Sequence, residues 1–180
     1  EQVLVLSASS KTAIGMAQGL ADDDGAPTIV GITSRANYDF VQSLGCYREI
    51  VCYDELDAIN NSKPTVMVDM AGNRAVLGAL HEALGDNMLS CISVGMTHWE
   101  TLADNDPLAA KINRQRSSFF FAPAHIQKRV GDWGQDGFSQ RAAAFMQARM
   151  EQSAGWMRVE TVADFEAFAK IYADVVVGVM

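Results

Sequence analysis

Apolar and polar residues alternate in two kinds of segment along the first half of the chain. Short, nearly continuous apolar runs such as residues 3–6 and 65–69 are typical of strands that are buried on both faces of a parallel sheet. Segments with apolar positions three and four apart, such as 12–22 and 74–84, lie between the runs and predict amphipathic helices. The pattern predicts strands at 3–6, 28–33, 48–52, 65–69 and 88–94, helices at 12–22, 37–44 and 74–84, and a helical turn at 54–60.

Regular alternation of strand and helix predicts an α/β fold: a doubly wound parallel sheet of Rossmann type, with three layers in the order α/β/α. The more distal sequence predicts a sixth strand at 117–122. It also predicts a helix at 139–150, with Phe145, Met146 and Met150 inward and Arg141 and Arg149 outward, and a last helix at 161–173 capped by Thr161. We expect one domain over residues 1–180. The non-Met start and the apolar end favour a fragment of a longer chain.

Composition and charge narrow the class of protein. A net charge of −8 disfavours nucleic acid and anionic membranes as main partners, because phosphate groups would be repelled. No apolar run reaches the roughly 18 residues of a membrane span, and no signal peptide is recognisable. Cys46, Cys52 and Cys91 are odd in number and scattered, which predicts free thiols in a reducing, cytoplasmic setting.

The segment after the first predicted strand is the first candidate for chemistry. In a doubly wound sheet, this turn and the following helix N-terminus are where a pyrophosphate binds. The turn lacks the G-x-G-x-x-G glycines, but hydroxyl groups and one ammonium group could contact phosphate directly. The predicted cofactor-binding residues here are Ser9, Ser10, Lys11 and Thr12. The alternative interpretation is a serine-rich helix cap with a solvated lysine.

Two other motifs are excluded at this turn. Ser10-Lys11-Thr12 resembles the end of a P-loop, but Val5 and Ser10 occupy its glycine positions, which disfavours phosphoryl transfer. A short-chain dehydrogenase needs a catalytic tyrosine followed by lysine four positions later, and none of the four tyrosines meets that requirement.

The end of the second predicted strand suggests which dinucleotide would bind. NAD sites place a carboxylate here for the ribose 2′-hydroxyl, whereas this chain has Thr33-Ser34-Arg35. With no carboxylate expected at this place, Ser34 and Arg35 predict a site for the 2′-phosphate of NADP(H). A charge-assisted hydrogen bond would favour NADPH over NADH roughly tenfold to hundredfold. The alternative is a surface turn whose arginine faces water.

Other residues at predicted strand ends support the same interpretation. Gly72 and Gly95 would let the backbone pass close to a ribose or nicotinamide, although either could mark an ordinary turn. Tyr53 follows the third predicted strand and could contact the adenosine or pack against its neighbours.

The chain also resembles a known superfamily. The stretch GITSRANYDFVQSLGCYREIVCYDE, followed by VMVDMAG and SVG, resembles the cofactor domain of medium-chain dehydrogenases/reductases, quinone-oxidoreductase branch. The serine-rich turn and FFFAPAHIQKR resemble a bacterial family of unknown function in that neighbourhood. The resemblance implies Ser34, Arg35 and Tyr53 at the 2′-phosphate, and Gly72, Val94 and Gly95 around the ribose and nicotinamide. It also implies that Phe119–Phe121 lie beside the nicotinamide and that an N-terminal catalytic domain belongs to the longer chain.

Catalytic residues cannot be chosen from the sequence, and we expect no metal, because His81, His98 and His125 lack the spacing of zinc ligands. We therefore expect an NADP(H)-binding domain of a reductase that transfers hydride to a small carbonyl or enone substrate. A nucleotide-sensing or interaction module without catalysis is one alternative, and an S-adenosylmethionine-dependent methyltransferase is another, although that fold usually carries an acidic residue at the Ser34-Arg35 position. A homodimer paired through sheet edges is compatible with the fold.

Overall fold

A computed structural model describes residues 1–95 and 109–176 of this protein. Its centre is a six-stranded sheet in the order β3-β2-β1-β4-β5-β6, in which every neighbouring pair is parallel. The strands are β1 (Gln2–Leu6), β2 (Thr28–Thr33), β3 (Glu49–Cys52), β4 (Thr65–Asp69), β5 (Met88–Ser93) and β6 (Ser117–Phe119). The helices are α1 (Lys11–Ala21), α2 (Tyr38–Ser43), α3 (Arg74–Leu84), α4 (Ala122–Ser153, interrupted at Gly134) and α5 (Phe165–Val176). The predicted fold class, a doubly wound Rossmann-like sheet, is confirmed.

The sheet is covered on both faces, which explains why its strands are apolar almost throughout. Alternate residues of β1 enter two different cores: Leu4 and Leu6 pack towards α3, whereas Val3 and Val5 pack towards α1 and α2. Residues of α3 contribute to the first core through Val76, Leu77, Leu80 and Leu84. The apolar strand residues, which alternate with a period of two, therefore pack against the apolar helix residues, which recur with a period of 3.6, in the same cores.

The chain forms two compact units, residues 1–149 and 150–180, of which the first contains the whole sheet. In the second unit, α5 begins after Asp164, whose carboxylate accepts hydrogen bonds from the amides of Glu166 and Ala167. The predicted cap at Thr161 is therefore wrong, because Asp164 supplies the carboxylate that the helix N-terminus needs. None of the helices among the described residues combines the length and apolar character needed to cross a membrane.

Helix α4 presents a different side from the one that its sequence predicts. Met146 is 57% exposed and Met150 is also exposed, although both were expected inward. The side chain of Arg149, expected outward, is only 10% exposed because it pairs with Asp22 after α1 and lies over the Phe145 ring. Phe145 itself packs on α1 beside Gly19. A compensating carboxylate and an aromatic face thus make burial of the arginine possible.

His81 links α3 to the segment that precedes β6. It is 5% exposed, and its Nδ1 accepts a hydrogen bond of 3.1 Å from the backbone amide of Asn113. Nε2 is buried and has no hydrogen-bond partner among the described residues. Burial lowers the pKa of His81. A proton on Nδ1 would also replace an acceptor by a donor facing the Asn113 amide, so the folded protein retains neutral His81.

The lowered pKa of His81 predicts that the folded protein loses stability in mild acid. Because the folded-state pKa is lowered, the contribution of His81 is complete above pH of about 6.5, the ordinary value for histidine, and falls as the pH drops below it. The unfolded chain binds a proton that the folded chain does not bind, so the free energy of unfolding decreases by up to about 1.4 kcal/mol for each pH unit. Urea unfolding at pH 7.5 and 5.5 should show a smaller difference in His81→Gln than in the unsubstituted chain. The exposed His125→Gln variant is the control, and equal differences in all three proteins would contradict the prediction.

Candidate functional site

All six strands end at one edge of the sheet, called here the carboxyl edge, because they are parallel. The strand order reverses between β1 and β4, where Leu6 pairs in register with Asp69. In open α/β sheets, ligands bind in the crevice outside such a switch point. The predicted site residues should therefore meet at this edge, beside the ends of β1 and β4.

The β1 turn (residues 7–10) leads from β1 into α1 at this edge. Ser7 has φ of 58°, a left-handed conformation unusual for a non-glycine residue, and its carbonyl accepts a hydrogen bond from the Ser10 amide. The Ser10 hydroxyl caps α1 by accepting a hydrogen bond of 3.3 Å from the Ala13 amide. Lys11 and Thr12 form the exposed first turn of α1. A helix N-terminus, with its outward amides, thus stands at the predicted phosphate position.

Tyr53 connects the end of β3 to this turn across β2. Its hydroxyl accepts a hydrogen bond of 3.1 Å from the Ser7 amide and lies 3.2 Å from the Ser7 hydroxyl. The Tyr53 amide also donates to the Thr33 carbonyl at the end of β2. The hydroxyl predicted to contact adenosine therefore holds the β1 turn in its strained conformation.

A second contact joins the β1 turn to the end of β2. The Asn37 side chain donates a hydrogen bond of 3.1 Å to the Ser9 hydroxyl, and Asn37 ends the short 3-10 turn that begins at Arg35 and follows Ser34. The serine-rich turn and the Ser34-Arg35 segment therefore lie next to each other at the carboxyl edge. In both contacts the serine oxygen accepts the hydrogen bond, so the O–H groups of Ser9 and Ser10 can still donate to a phosphate, together with the backbone amides and Lys11.

Arg35 is bound by two carboxylates that follow β3. Its guanidinium lies 2.7 Å from the Glu55 carboxylate and 3.3 Å from the Asp54 carboxylate, and all three side chains are at least half exposed. A hydrogen bond to Glu55, followed by the hydrogen bond to Asp54 and the charge of Asp54, raises the pKa of Arg35. The expectation that no carboxylate stands at this place is wrong, because the parallel pairing of β2 with β3 brings Asp54 and Glu55 beside Arg35.

The same two carboxylates lie close to the Cys52 sulfur, within 4.8 Å of one another. Three such groups could in principle bind a metal ion, but Arg35 already compensates the charge of Asp54 and Glu55. The geometry is that of an ion-pair cluster and gives no support to a metal centre at this position.

On the other side of the switch point, Asp69 organises the ends of β4 and β5. The residue is only 1% exposed, and its carboxylate accepts hydrogen bonds of 2.9–3.0 Å from the amides of Ala71 and Gly72. Its carbonyl accepts a hydrogen bond of 2.8 Å from the Val94 amide. Asp69 thus draws Gly72, Val94 and Gly95 together beside the crevice.

Gly72 and Gly95 occupy positions where a side chain would not fit or would be strained. Gly72 has φ of 74°, in the left-handed region that favours glycine. A Cβ on Gly95 would come within 2.6 Å of the Met70 carbonyl oxygen, because the ends of β4 and β5 approach closely. The structure accounts for both glycines through backbone geometry alone; their predicted contact with a ribose or nicotinamide stays a prediction.

Tyr47 supports the β1 turn from inside the protein, a role that the sequence does not reveal. Its hydroxyl donates a hydrogen bond of 2.9 Å to the Ala8 carbonyl, and its ring lies against Gly31. Burial raises the pKa of Tyr47 and keeps its hydroxyl protonated as a donor. The sequence does not indicate this role, because Tyr47 comes to lie beneath β1 only through the pairing of the strands in the sheet.

Beyond β6, Phe120 and His125 stack with ring centroids 4.4 Å apart. The Phe120 amide donates to the Ser93 carbonyl, so this pair lies at the carboxyl edge next to the end of β5. Phe119 and Phe121, expected beside the nicotinamide, are both more than half exposed, and β6 ends at Phe119 rather than at 122. His98 lies outside the described residues, and His81 belongs to the α3 contact.

A groove of about 580 Å³ lies at the opposite, amino edge of the sheet. It is lined by residues from the end of α1 and from the starts of β2 and β3, including Leu20, Asp23, Thr28, Ile29 and Arg48. Helix carbonyl ends rather than amide groups point towards this edge, so the groove does not offer the phosphate chemistry of the carboxyl edge. The predicted site residues do not line it.

Strand order, switch point and helix N-terminus together define a Rossmann-type α/β protein with its polar turns gathered at the carboxyl edge. The chain belongs to the family described as "Protein of unknown function (DUF2855)", whose model matches residues 1–180. No curated protein and no solved structure matches the chain significantly.

Proposed function

We propose that this chain binds NADP(H) across its carboxyl edge and forms the cofactor half of a reductase that passes hydride to a small carbonyl or enone. The observation that carries the proposal is the hydrogen bond between Asn37 and Ser9. It joins the predicted phosphate turn to the segment that contains Arg35, at a switch point where Rossmann-type sheets bind dinucleotides.

The residues at the edge fit such a cofactor in chemical terms. The amides and Lys11 at the start of α1 offer charge and hydrogen-bond donors to a pyrophosphate. Arg35 offers a planar cation to a 2′-phosphate. Gly72 and Gly95 leave backbone without side chains at the ends of β4 and β5. When bound, the nicotinamide would supply the hydride, and the protein would position it.

The resemblance to the medium-chain dehydrogenases/reductases supports the same proposal, and it implies that activity belongs to a longer chain with a second domain. A single domain over 1–180, a homodimer and a cytoplasmic location stay predictions. The medium-chain resemblance is also the sole basis for a quinone-like substrate class.

A specific observation favours one alternative, a nucleotide-sensing module without catalysis. The hydroxyl oxygens of Ser9, Ser10 and Tyr53 each accept a hydrogen bond that holds the edge together, so each has a structural role in the site. Turnover of model quinones with NADPH by the longer chain would support the reductase, whereas tight binding without turnover would support the module.

Calorimetric titration of this chain with NADPH, NADH and S-adenosylmethionine tests the proposal directly. We expect a saturable signal with NADPH, a weaker one with NADH and none with S-adenosylmethionine. Binding of S-adenosylmethionine alone would replace the dinucleotide proposal by a methyltransferase, and the absence of any dinucleotide binding would remove it.

A further inference from the structure

The two carboxylates on Arg35 have a consequence for cofactor choice, which rests on the proposed function. Glu55 lies 2.7 Å and Asp54 3.3 Å from the guanidinium, so the cluster carries one more negative than positive charge. Both carboxylates follow β3, the strand next to β2 at this edge. No other cation contacts either carboxylate within the described residues.

A 2′-phosphate and these carboxylates would compete for the same guanidinium. The phosphate would carry close to two negative charges at neutral pH. A phosphate oxygen on Arg35 would bring those charges to roughly 6–7 Å from each carboxylate, within the Debye length of about 8 Å at physiological salt. Water and salt reduce the repulsion at this exposed position, so each carboxylate should weaken phosphate binding about twofold to threefold. A ribose hydroxyl would meet no such repulsion and could donate to the carboxylates.

We infer that Asp54 and Glu55 are specificity-determining residues, which occupy Arg35 and thereby reduce the preference of this site for NADPH over NADH. Their sequence position hides this role, since the usual acidic determinant follows β2 rather than β3. The site thus combines the cation of an NADP site with carboxylates in a position that suits an NAD ribose.

The test compares the double variant Asp54→Asn/Glu55→Gln with the unsubstituted chain in titrations with NADPH and NADH. Both side chains are exposed and the amides match them in size, so folding should be preserved and is checked by circular dichroism. We expect the ratio of NADPH to NADH affinity to rise about fourfold to ninefold. We also expect NADPH affinity to fall more steeply with added salt, because Arg35 would then act as an uncompensated cation.

The matched control is Asp24→Asn/Glu49→Gln, which makes the same change in net charge at exposed positions towards the amino edge. This control should leave the affinity ratio unchanged. An unchanged ratio in Asp54→Asn/Glu55→Gln would overturn the inference while NADPH binding upheld the proposed function. A fall in NADPH affinity would also overturn it, since the carboxylates would then be holding Arg35 in its binding position. If the unsubstituted chain binds neither dinucleotide, the proposed function and this inference fail together.

Discussion

Replacing Arg35 by alanine is expected to weaken NADPH binding at least tenfold and to leave NADH binding nearly unchanged. The substitution removes the cation proposed to face the 2′-phosphate and leaves Asp54 and Glu55 beside that phosphate without compensation. The variant loses the charge-assisted hydrogen bond to the phosphate, and the repulsion from the two carboxylates stays in place, so NADPH affinity should fall while NADH affinity does not. Calorimetric titration of both cofactors at one salt concentration measures it.

Arg48→Ala is the control for this experiment, because Arg48 is also exposed but lies at the amino edge, where it lines the groove. It should leave both affinities unchanged. Equal losses of NADPH and NADH in Arg35→Ala would contradict a role at the 2′-phosphate and would point to a general effect on the edge. No change with either cofactor would show that Arg35 serves only its ion pairs.

Removing the carboxylate of Asp69 should lower the free energy of unfolding by about 3 kcal/mol. The buried carboxylate accepts hydrogen bonds from the amides of Ala71 and Gly72, and hydrogen bonds to a charged group are each stronger than neutral ones. Asp69→Ala takes away the acceptor of both amides and leaves a gap at the switch point. Asp69→Asn keeps one oxygen as an acceptor and should cost about 1 kcal/mol.

Urea unfolding followed by circular dichroism would measure both variants, with the exposed Asp24→Ala as control. The graded order, alanine worse than asparagine, distinguishes loss of the acceptor from loss of charge alone. If Asp69→Ala unfolded at the same urea concentration as the control, the carboxylate would contribute nothing to the turn. Equal losses in the alanine and asparagine variants would instead assign the effect to the charge.

Arg35 and Asp69 lie in two halves of the carboxyl edge that would have different roles. Arg35 and its carboxylates lie on the side of β2 and β3, are exposed, and would affect ligand choice more than stability. Asp69 lies on the side of β4 and β5, is buried, and would affect stability first. A ligand bound across the switch point would contact the exposed ion-pair cluster of Arg35 at one end and the turn held by buried Asp69 at the other.

The candidate site was only partly accessible to sequence reasoning. Ser9 and Arg35 could be assigned to one edge because each follows a buried strand, and parallel strands end together. Asn37, Tyr47 and Asp54 could not be found in the same way, since each acts on a residue 19 or more positions away in the chain. Their role depends on which strands are neighbours.

Helix α4 gives a second example of what a local sequence pattern can and cannot predict. Its periodicity predicts a helix, and a helix forms, but the pattern placed Arg149 outside and Met146 inside. The helix turns Arg149 inward instead, because Asp22 and Phe145 are available at that contact. A hydrophobicity pattern cannot anticipate an ion pair with a residue 127 positions away.

The amino-acid sequence by itself determined the strands, most helices and the doubly wound class, because apolar periodicity is a local property that each segment carries with it. Only the tertiary structure decided that Asp54 and Glu55 bind Arg35, that Tyr53 holds Ser7, and that Asp69 fastens the turn after β4. Each of these contacts requires strands that are distant in sequence to lie side by side, and the charge around a ligand position is the sum over all of them.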